Sequence, residues 1–191
     1  MLFNLINNWL ENEKSLGSAY PNRMVLATAG KDAIPHCRIV AIKEILNHSI
    51  IFFTQKETRK VKEMNENPSV SATIWLPLQQ REVILDGEVE ALTHDENIHY
   101  WEKMLPDNRL RFFTYAPVSG MPISSLRELE DRYELLKNQI NGSDVPMSDF
   151  YVGYRLKPKT IVLYTLGTDT FSEVYRYQLI NGEWSKQLIS A

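Results

Sequence analysis

The sequence predicts an α+β fold, mainly β, built as an antiparallel barrel or sheet with peripheral helices. Most of its apolar stretches are short, alternating and rich in β-branched and aromatic residues. They arrive singly or as hairpins, with helical patterns between them at irregular intervals, whereas a doubly wound parallel sheet would alternate regularly. No repeat, low-complexity tract or long linker divides the 191 residues, so one domain over 1–191 is expected. Within it the reading places an N-terminal helix in 1–20, a helical insertion at 93–142 and C-terminal strands over 151–191.

Taken in order, Leu2, Leu5, Ile6, Trp9 and Leu10 recur at helical spacing, with a stop near Gly17 and Pro21. Met24–Thr28, Pro35–Lys43 and Ser49–Thr54 read as strands, the first two separated by turn residues at Ala29–Asp32. Thr58–Asn67 is a short polar helix that Asn67-Pro68 ends. Ser69–Trp75 alternates with Val70, Ala72 and Ile74 on one face. Arg81–Leu92 alternates around Val83, Leu85, Val89 and Ala91, and Gly87 signals a bulge or a close backbone approach. Capping boxes at Thr93–Glu96 and Ser125–Glu128 open two helices. The first carries Ile98, Trp101 and Leu105. The second carries Leu126, Leu129, Tyr133, Leu136 and Ile140 and closes at Asn141-Gly142. Strands follow at Tyr151–Leu156, Thr160–Leu166 and Phe171–Ile180, with Asn181-Gly182 turning the last of these into Glu183–Leu188.

Composition removes several classes of function. A net charge of −3 carries no basic field suited to a nucleic-acid backbone. No apolar run approaches the ~18 residues of a membrane span. The opening Met-Leu-Phe-Asn-Leu lacks the basic region and cleavage site of a secretory leader, so a cytoplasmic protein is expected. The glycines are scattered without phosphate-loop spacing, and His36, His48, His94 and His99 include no pair at metal-binding spacing, so no metal is expected. Cys37, inside a strand, reads as a small buried hydrophobe rather than a nucleophile.

The cations say more. Arg38 and Lys43 interrupt an apolar strand, and Arg59-Lys60 stand in the first turn of a polar helix. The helix dipole disfavours cations there, so their placement asks for an anionic partner such as a phosphate. Positions 38 and 43 differ by five and face opposite sides of a regular strand, so both reach one ligand only if the strand bulges, twists or ends between them. A solvated sheet edge protected by Lys and Arg is the other reading.

The ordered blocks Pro21–Thr28, Ile34-Pro35, Arg38–Lys43, Phe52–Thr54, Arg59-Lys60 and Asn67-Pro68 resemble the pyridoxamine 5′-phosphate oxidase family. So do Trp75, Arg81–Gly87 with Glu88-Val89-Glu90, Tyr100, Gly153–Leu156 with Pro158, and Trp184 with Leu188. The resemblance implies a homodimeric split β-barrel with FMN at the interface and a small-molecule substrate, phosphorylated or not. On that pattern Arg38 and Lys60, with Arg59 alongside, hold the flavin phosphate. Ile39, Val40, Ala41, Ile42 and Lys43 line the flavin, and Phe53 and Thr54 contact it. Lys43 and Tyr100 lie where the family grips its substrate phosphate.

Departures from the pattern cluster late in the chain. Thr170-Phe171-Ser172 replaces the family's Arg-Leu-His run, so Thr170 and Ser172 stand where the pyridine ring is held. Val174 replaces a flavin-contacting Arg, Tyr164 a Trp, Glu82 a Gln and Met104 an Arg. Ser119 falls near the family's Gln-Ser pair, and Arg176 is the nearest cation to the altered turn. The resemblance therefore implies an FMN-dependent oxidase acting on vitamin B6 phosphates or on another amine, alcohol or reduced heterocycle. A flavin reductase, carrier or sensor of the same fold, and a flavin-free binding module, remain as alternatives.

Overall fold

The computed structural model describes residues 2–140, 145–167 and 170–191. Its elements are α1 (Leu2–Ser15), β1 (Arg23–Ala29), β2 (Pro35–Leu46), β3 (Ser49–Gln55), α2 (Arg59–Glu66), β4 (Ser69–Leu76) and β5 (Arg81–Ala91). There follow α3 (His94–Glu102), α4 (Pro106–Tyr115), a 3-10 turn (Ala116–Val118), α5 (Leu126–Ile140), β6 (Tyr151–Thr165), β7 (Glu173–Ile180) and β8 (Glu183–Ile189). The strands run in the order β3-β2-β1-β4-β5-β6-β7-β8, and a further β3–β6 pairing closes the first six into an antiparallel barrel. The predicted barrel with peripheral helices is thus the observed fold.

The chain divides into two compact units, one of residues 1–53, 63–90 and 154–191 and the other of 54–62 and 91–153. The first is the barrel unit. Alternation puts Met24, Leu26, Val40, Ile42, Val70, Ala72, Ile74, Val83 and Leu85 into its core. The same alternation turns Cys37, Ile39 and Ala41 outward, so Cys37 is exposed, against the buried position expected of it. Gly87 meets β6 closely: a Cβ there would lie 2.2 Å from the Lys157 carbonyl oxygen and 2.6 Å from Pro158 Cα. That approach is the reason for the glycine, as expected. Strand β6 runs unbroken through Pro158, whereas the sequence suggested two strands.

Helix α1 buries Leu2, Phe3, Ile6, Trp9 and Leu10, while Leu5 is 37% exposed and belongs to the outer face. Its anchor is a residue that hydrophobic patterning passes over. The buried Glu13 carboxylate accepts hydrogen bonds from the Leu78 and Gln79 amides at 3.0 and 3.2 Å and from Gln79 Nε2 at 3.0 Å. Arg81 stacks over Trp9 at 4.5 Å. The β7–β8 hairpin turns at Asn181-Gly182 with φ of 51° and 84°, the left-handed pair its sequence requires. Strand β7 begins at Glu173 rather than at Phe171.

The helical unit departs more from expectation. Thr93 and Glu96 form the predicted capping box on α3. That helix ends at Glu102, and Leu105 instead caps a separate α4 with Pro106 in its first turn. Proline reads as a stop in the sequence, yet at the first helical position it starts a helix just as well. The start of α5 differs from the expected box: Ser124, one residue before the expected cap, gives its hydroxyl and amide to the Glu128 carboxylate at 2.7 and 3.0 Å, and the Glu128 amide donates to the Ser125 carbonyl at 3.3 Å. The closing pair expected at Asn141-Gly142 lies outside the described residues. Trp101, Phe112 and Tyr151 pack edge-to-face with centroids 4.9–5.7 Å apart, as the core of this unit.

Candidate functional site

In the barrel unit the polar chemistry gathers around Arg38. Strand alternation directs it to the inner side of β2 with Val40 and Ile42. Its Nη1 donates to the Leu26 carbonyl at 3.2 Å and to Thr28 Oγ1 at 2.6 Å, and its Nη2 donates to Glu63 Oε2 at 3.3 Å. The Thr28 hydroxyl, buried on β1, donates in turn to the same carboxylate oxygen. The other oxygen, Oε1, lies 2.7 Å from His36 Nδ1, a hydrogen bond whenever that nitrogen carries the proton. Burial pushes the Glu63 carboxyl upward, but the Thr28 hydroxyl, His36 and Arg38 together hold it below the ordinary glutamate value.

Lys43 lies where the β2–β3 register shifts between Ile42 and Glu44. Alternation nonetheless runs unbroken from Arg38 to Lys43, so Arg38 faces inward and Lys43 outward and the register shift does not bring the two cations to one side. Lys43 is exposed along a groove of about 450 Å³ that it shares with Asn7, Leu10, Lys14 and Asn22. Ile39 and Ala41 face outward and Val40 and Ile42 inward, and Phe53 is half-buried on β3. Glu82 stands opposite Trp75 across β4 and β5.

In the helical unit four of the expected residues, Thr54, Arg59, Lys60 and Ser119, lie around the entrance to α2. Lys60 Nζ donates to Thr54 Oγ1 at 3.1 Å and to Thr58 Oγ1 at 3.3 Å. Thr58 Oγ1 donates to the Gln55 carbonyl at 2.8 Å, and Ser119 Oγ reaches Gln55 Oε1 at 3.3 Å. Helix α2 has Arg59 and Lys60 in its first turn and no acid there. An ammonium held by hydroxyls at a helix start, with a guanidinium beside it, is suited to a phosphate. Tyr100 is half-buried on α3, 5.7 Å from the His99 ring, and burial together with the nearby Tyr100 pushes the Tyr151 phenol well up.

The late-chain residues are placed differently. Thr170 is exposed, Phe171 is fully exposed, and Ser172 Oγ accepts from the Gly167 amide at 3.2 Å. Tyr164 pairs with Val174 across β6 and β7, and Val174 is 3% exposed, a core residue rather than a polar contact. Arg176 donates to Gln187 Oε1 at 2.7 Å. That bond ties it to the neighbouring strand β8.

Sequence reasoning missed Thr28, His36, Glu63 and Gln55. One signal pointed to the first three: an arginine among inward-facing apolar residues needs a buried acceptor, and Glu63 lies in the polar helix already noted. Nothing in its spacing marked Gln55.

Barrel and polar clusters together define a split β-barrel protein of a known kind. Residues 15–121 match the family model described as "Pyridoxamine 5'-phosphate oxidase". A pyridoxine/pyridoxamine 5′-phosphate oxidase of Alteromonas mediterranea is 31% identical over 186 residues, covering 97% of this chain and 87% of that protein. One of Vibrio vulnificus is 30% identical over 179 residues, covering 93% and 83%. Among solved structures, PhzG of Burkholderia lata, in complex with tetrahydrophenazine-1-carboxylic acid, has a TM-score of 0.87 at 21% identity, covering 98% of this chain and 91% of that one. A pyridoxamine 5′-phosphate oxidase-related, FMN-binding protein of Nostoc punctiforme has a TM-score of 0.80 at 18% identity, covering 98% and 96%. The chain belongs to the pyridoxamine 5′-phosphate oxidase family.

Proposed function

We propose that this protein is an FMN-dependent oxidase that takes electrons from a small substrate and passes them to dioxygen. The observation that carries the reading is the Lys60–Thr54–Thr58 cluster at the cationic start of α2, in a chain of this family. These residues fit the phosphate of FMN: Lys60 and Arg59 offer charge, and the helix start adds backbone donors. Arg38 supplies a further fork, with Ile39, Val40, Ala41, Ile42, Lys43, Phe53, Glu82, Ser119 and Tyr164 lining the rest of the flavin. Bound FMN would supply two-electron chemistry, since the cofactor carries the redox step and the protein binds, orients and tunes it. Lys43 and Tyr100 are the substrate-facing residues in this reading, with Thr170 and Ser172 at the ring end.

The working unit we propose is a homodimer in the cytoplasm. Val25, Ile39 and Trp75 are 41%, 69% and 49% exposed, and Val25 pairs directly with Ile39, which leaves an apolar strip on the outer face of β1 and β2. An exposed lone cysteine suits a reducing compartment. No helix among the described residues is long and apolar enough to cross a membrane.

Pyridoxamine and pyridoxine phosphates are the first substrates to test. The turn at Thr170–Ser172 favours a second reading, an oxidase of another amine, alcohol or reduced heterocycle, because it brings no cation to a pyridine ring. Purified protein should show a visible flavin spectrum, release FMN on denaturation, and consume oxygen with its substrate. Colourless protein that takes up no added FMN overturns the proposal. Holoprotein whose flavin is never reduced by either B6 phosphate moves the substrate to the second reading.

A further inference from the structure

We infer that Glu63 is a positioning residue for the cofactor phosphate, acting through Arg38 rather than by touching the ligand. The inference rests on the FMN reading above. Its basis is the closed triangle in the barrel unit, in which Thr28 Oγ1 accepts from Arg38 and donates to Glu63 while Glu63 accepts from Arg38 directly. Three points of attachment, with the Leu26 carbonyl as the third acceptor, fix the plane of the guanidinium. A guanidinium has five N–H donors, and the bonds to Leu26, Thr28 and Glu63 use three. Nε–H and one Nη2–H of Arg38 remain unengaged among the described residues.

Two remaining donors on a fixed plane are what a bidentate contact with a phosphate needs. Arg38 and Glu63 side chains are 19% and 10% exposed, so the fork is held in a partly dry setting where orientation persists. A free arginine would lose rotamer entropy on binding, and the carboxylate removes that cost beforehand. His36, at 2.7 Å from Oε1, faces the oxygen that Arg38 does not use and offsets the carboxylate's own repulsion of an anion when protonated.

The test compares FMN with riboflavin, which lacks the phosphate, by titration calorimetry on apoprotein of wild type, Glu63→Ala, Glu63→Gln, Arg38→Ala and the Arg38→Ala/Glu63→Ala pair. Glu63→Ala should weaken FMN by about tenfold, the loss of one charge-assisted bond's worth of orientation, and leave riboflavin unchanged. Glu63→Gln retains an acceptor for Arg38 and should recover part of the loss; it also serves if the alanine variant does not fold. In the Arg38→Ala background, removing Glu63 should change FMN affinity no further. Equal losses for FMN and riboflavin would reduce Glu63 to a purely structural residue and overturn the inference. Unchanged or tighter FMN binding would overturn it too, the latter by showing that the carboxylate competes with the phosphate. Wild-type protein that does not prefer FMN over riboflavin would instead refute the parent FMN reading, and the positioning role with it.

Discussion

The Arg38 cluster and the described residues Gly167 and Thr170–Ser172 belong to the same unit and are placed in contrasting ways. Around Arg38, a buried threonine, a nearly buried glutamate and a backbone carbonyl all converge on one guanidinium. At the turn, the serine hydroxyl is spent on the Gly167 amide, and Phe171 stands fully exposed. A Cβ on Gly167 would come within 2.4 Å of the Thr170 carbonyl oxygen, so glycine is required there. The first region gathers polar partners around a cation, whereas Thr170, Phe171 and Ser172 bring no charged side chain. On the reading proposed above, the contrast teaches that the residues assigned to a cofactor phosphate would be kept while those assigned to the substrate ring change.

The largest effect should come from the cationic side of that contrast. Arg38→Ala combined with Lys60→Ala should cost several kcal/mol of FMN affinity, each charge-assisted contact being worth about 1.5–3 kcal/mol. Titration calorimetry measures it, and an unchanged dissociation constant would break the contrast at its stronger end. Next, Thr28→Val removes the hydroxyl that joins Arg38 to Glu63 in a site 2% exposed. It should lower unfolding stability by about 1–3 kcal/mol, since it strips a buried carboxylate of a donor; denaturant melts read this directly. On the other side, Thr170→Arg with Ser172→His restores charge to the turn. The pair should raise kcat/KM for pyridoxamine or pyridoxine phosphate by about tenfold, the equivalent of one matched charged hydrogen bond. No gain would mean that the turn is not the substrate's ring site.

The smallest effect is one of pH. Glu63 is held below its ordinary value of 4.5, so its contribution to stability is complete above that value and is lost as pH falls through the lower folded value. Melting temperature should therefore drop on acidification below about pH 4.5, and less so in Thr28→Val. Glu90, held low by hydrogen bonds from Lys157 and Arg155, adds an exposed share of the same sign. Salt screens that share, so the difference between wild type and Thr28→Val should persist at high ionic strength.

Much of the barrel was legible in the sequence because strand alternation and turn chemistry are local. Val70, Ala72 and Ile74 declare their face, and Asn181-Gly182 declares its hairpin. Helix α4 was not legible, because Pro106 looks the same whether it ends one helix or begins the next. Glu13 was not legible either: it is buried by hydrogen bonds to a loop more than sixty residues away. The site shows the same division. Arg38, Lys60 and Arg59 stood out as cations in the wrong places, whereas the bulge between 38 and 43 that a shared ligand would need is not formed, since alternation is unbroken there. Their acceptors Thr28 and Glu63 could not be assigned, since pairing at sequence separations of 10 and 25 is set by the closed barrel. Cys37 was misplaced because its strand alternates, so that being inside a strand does not decide which side it faces.

In the function proposed above, the chain presents a built site for a flavin phosphate. Calorimetric titration of the wild-type apoprotein with FMN and with riboflavin tests it most directly. The account predicts that FMN binds at least about a hundredfold tighter, as two charge-assisted contacts require. Equal affinity for the two, or no binding of either, would contradict it.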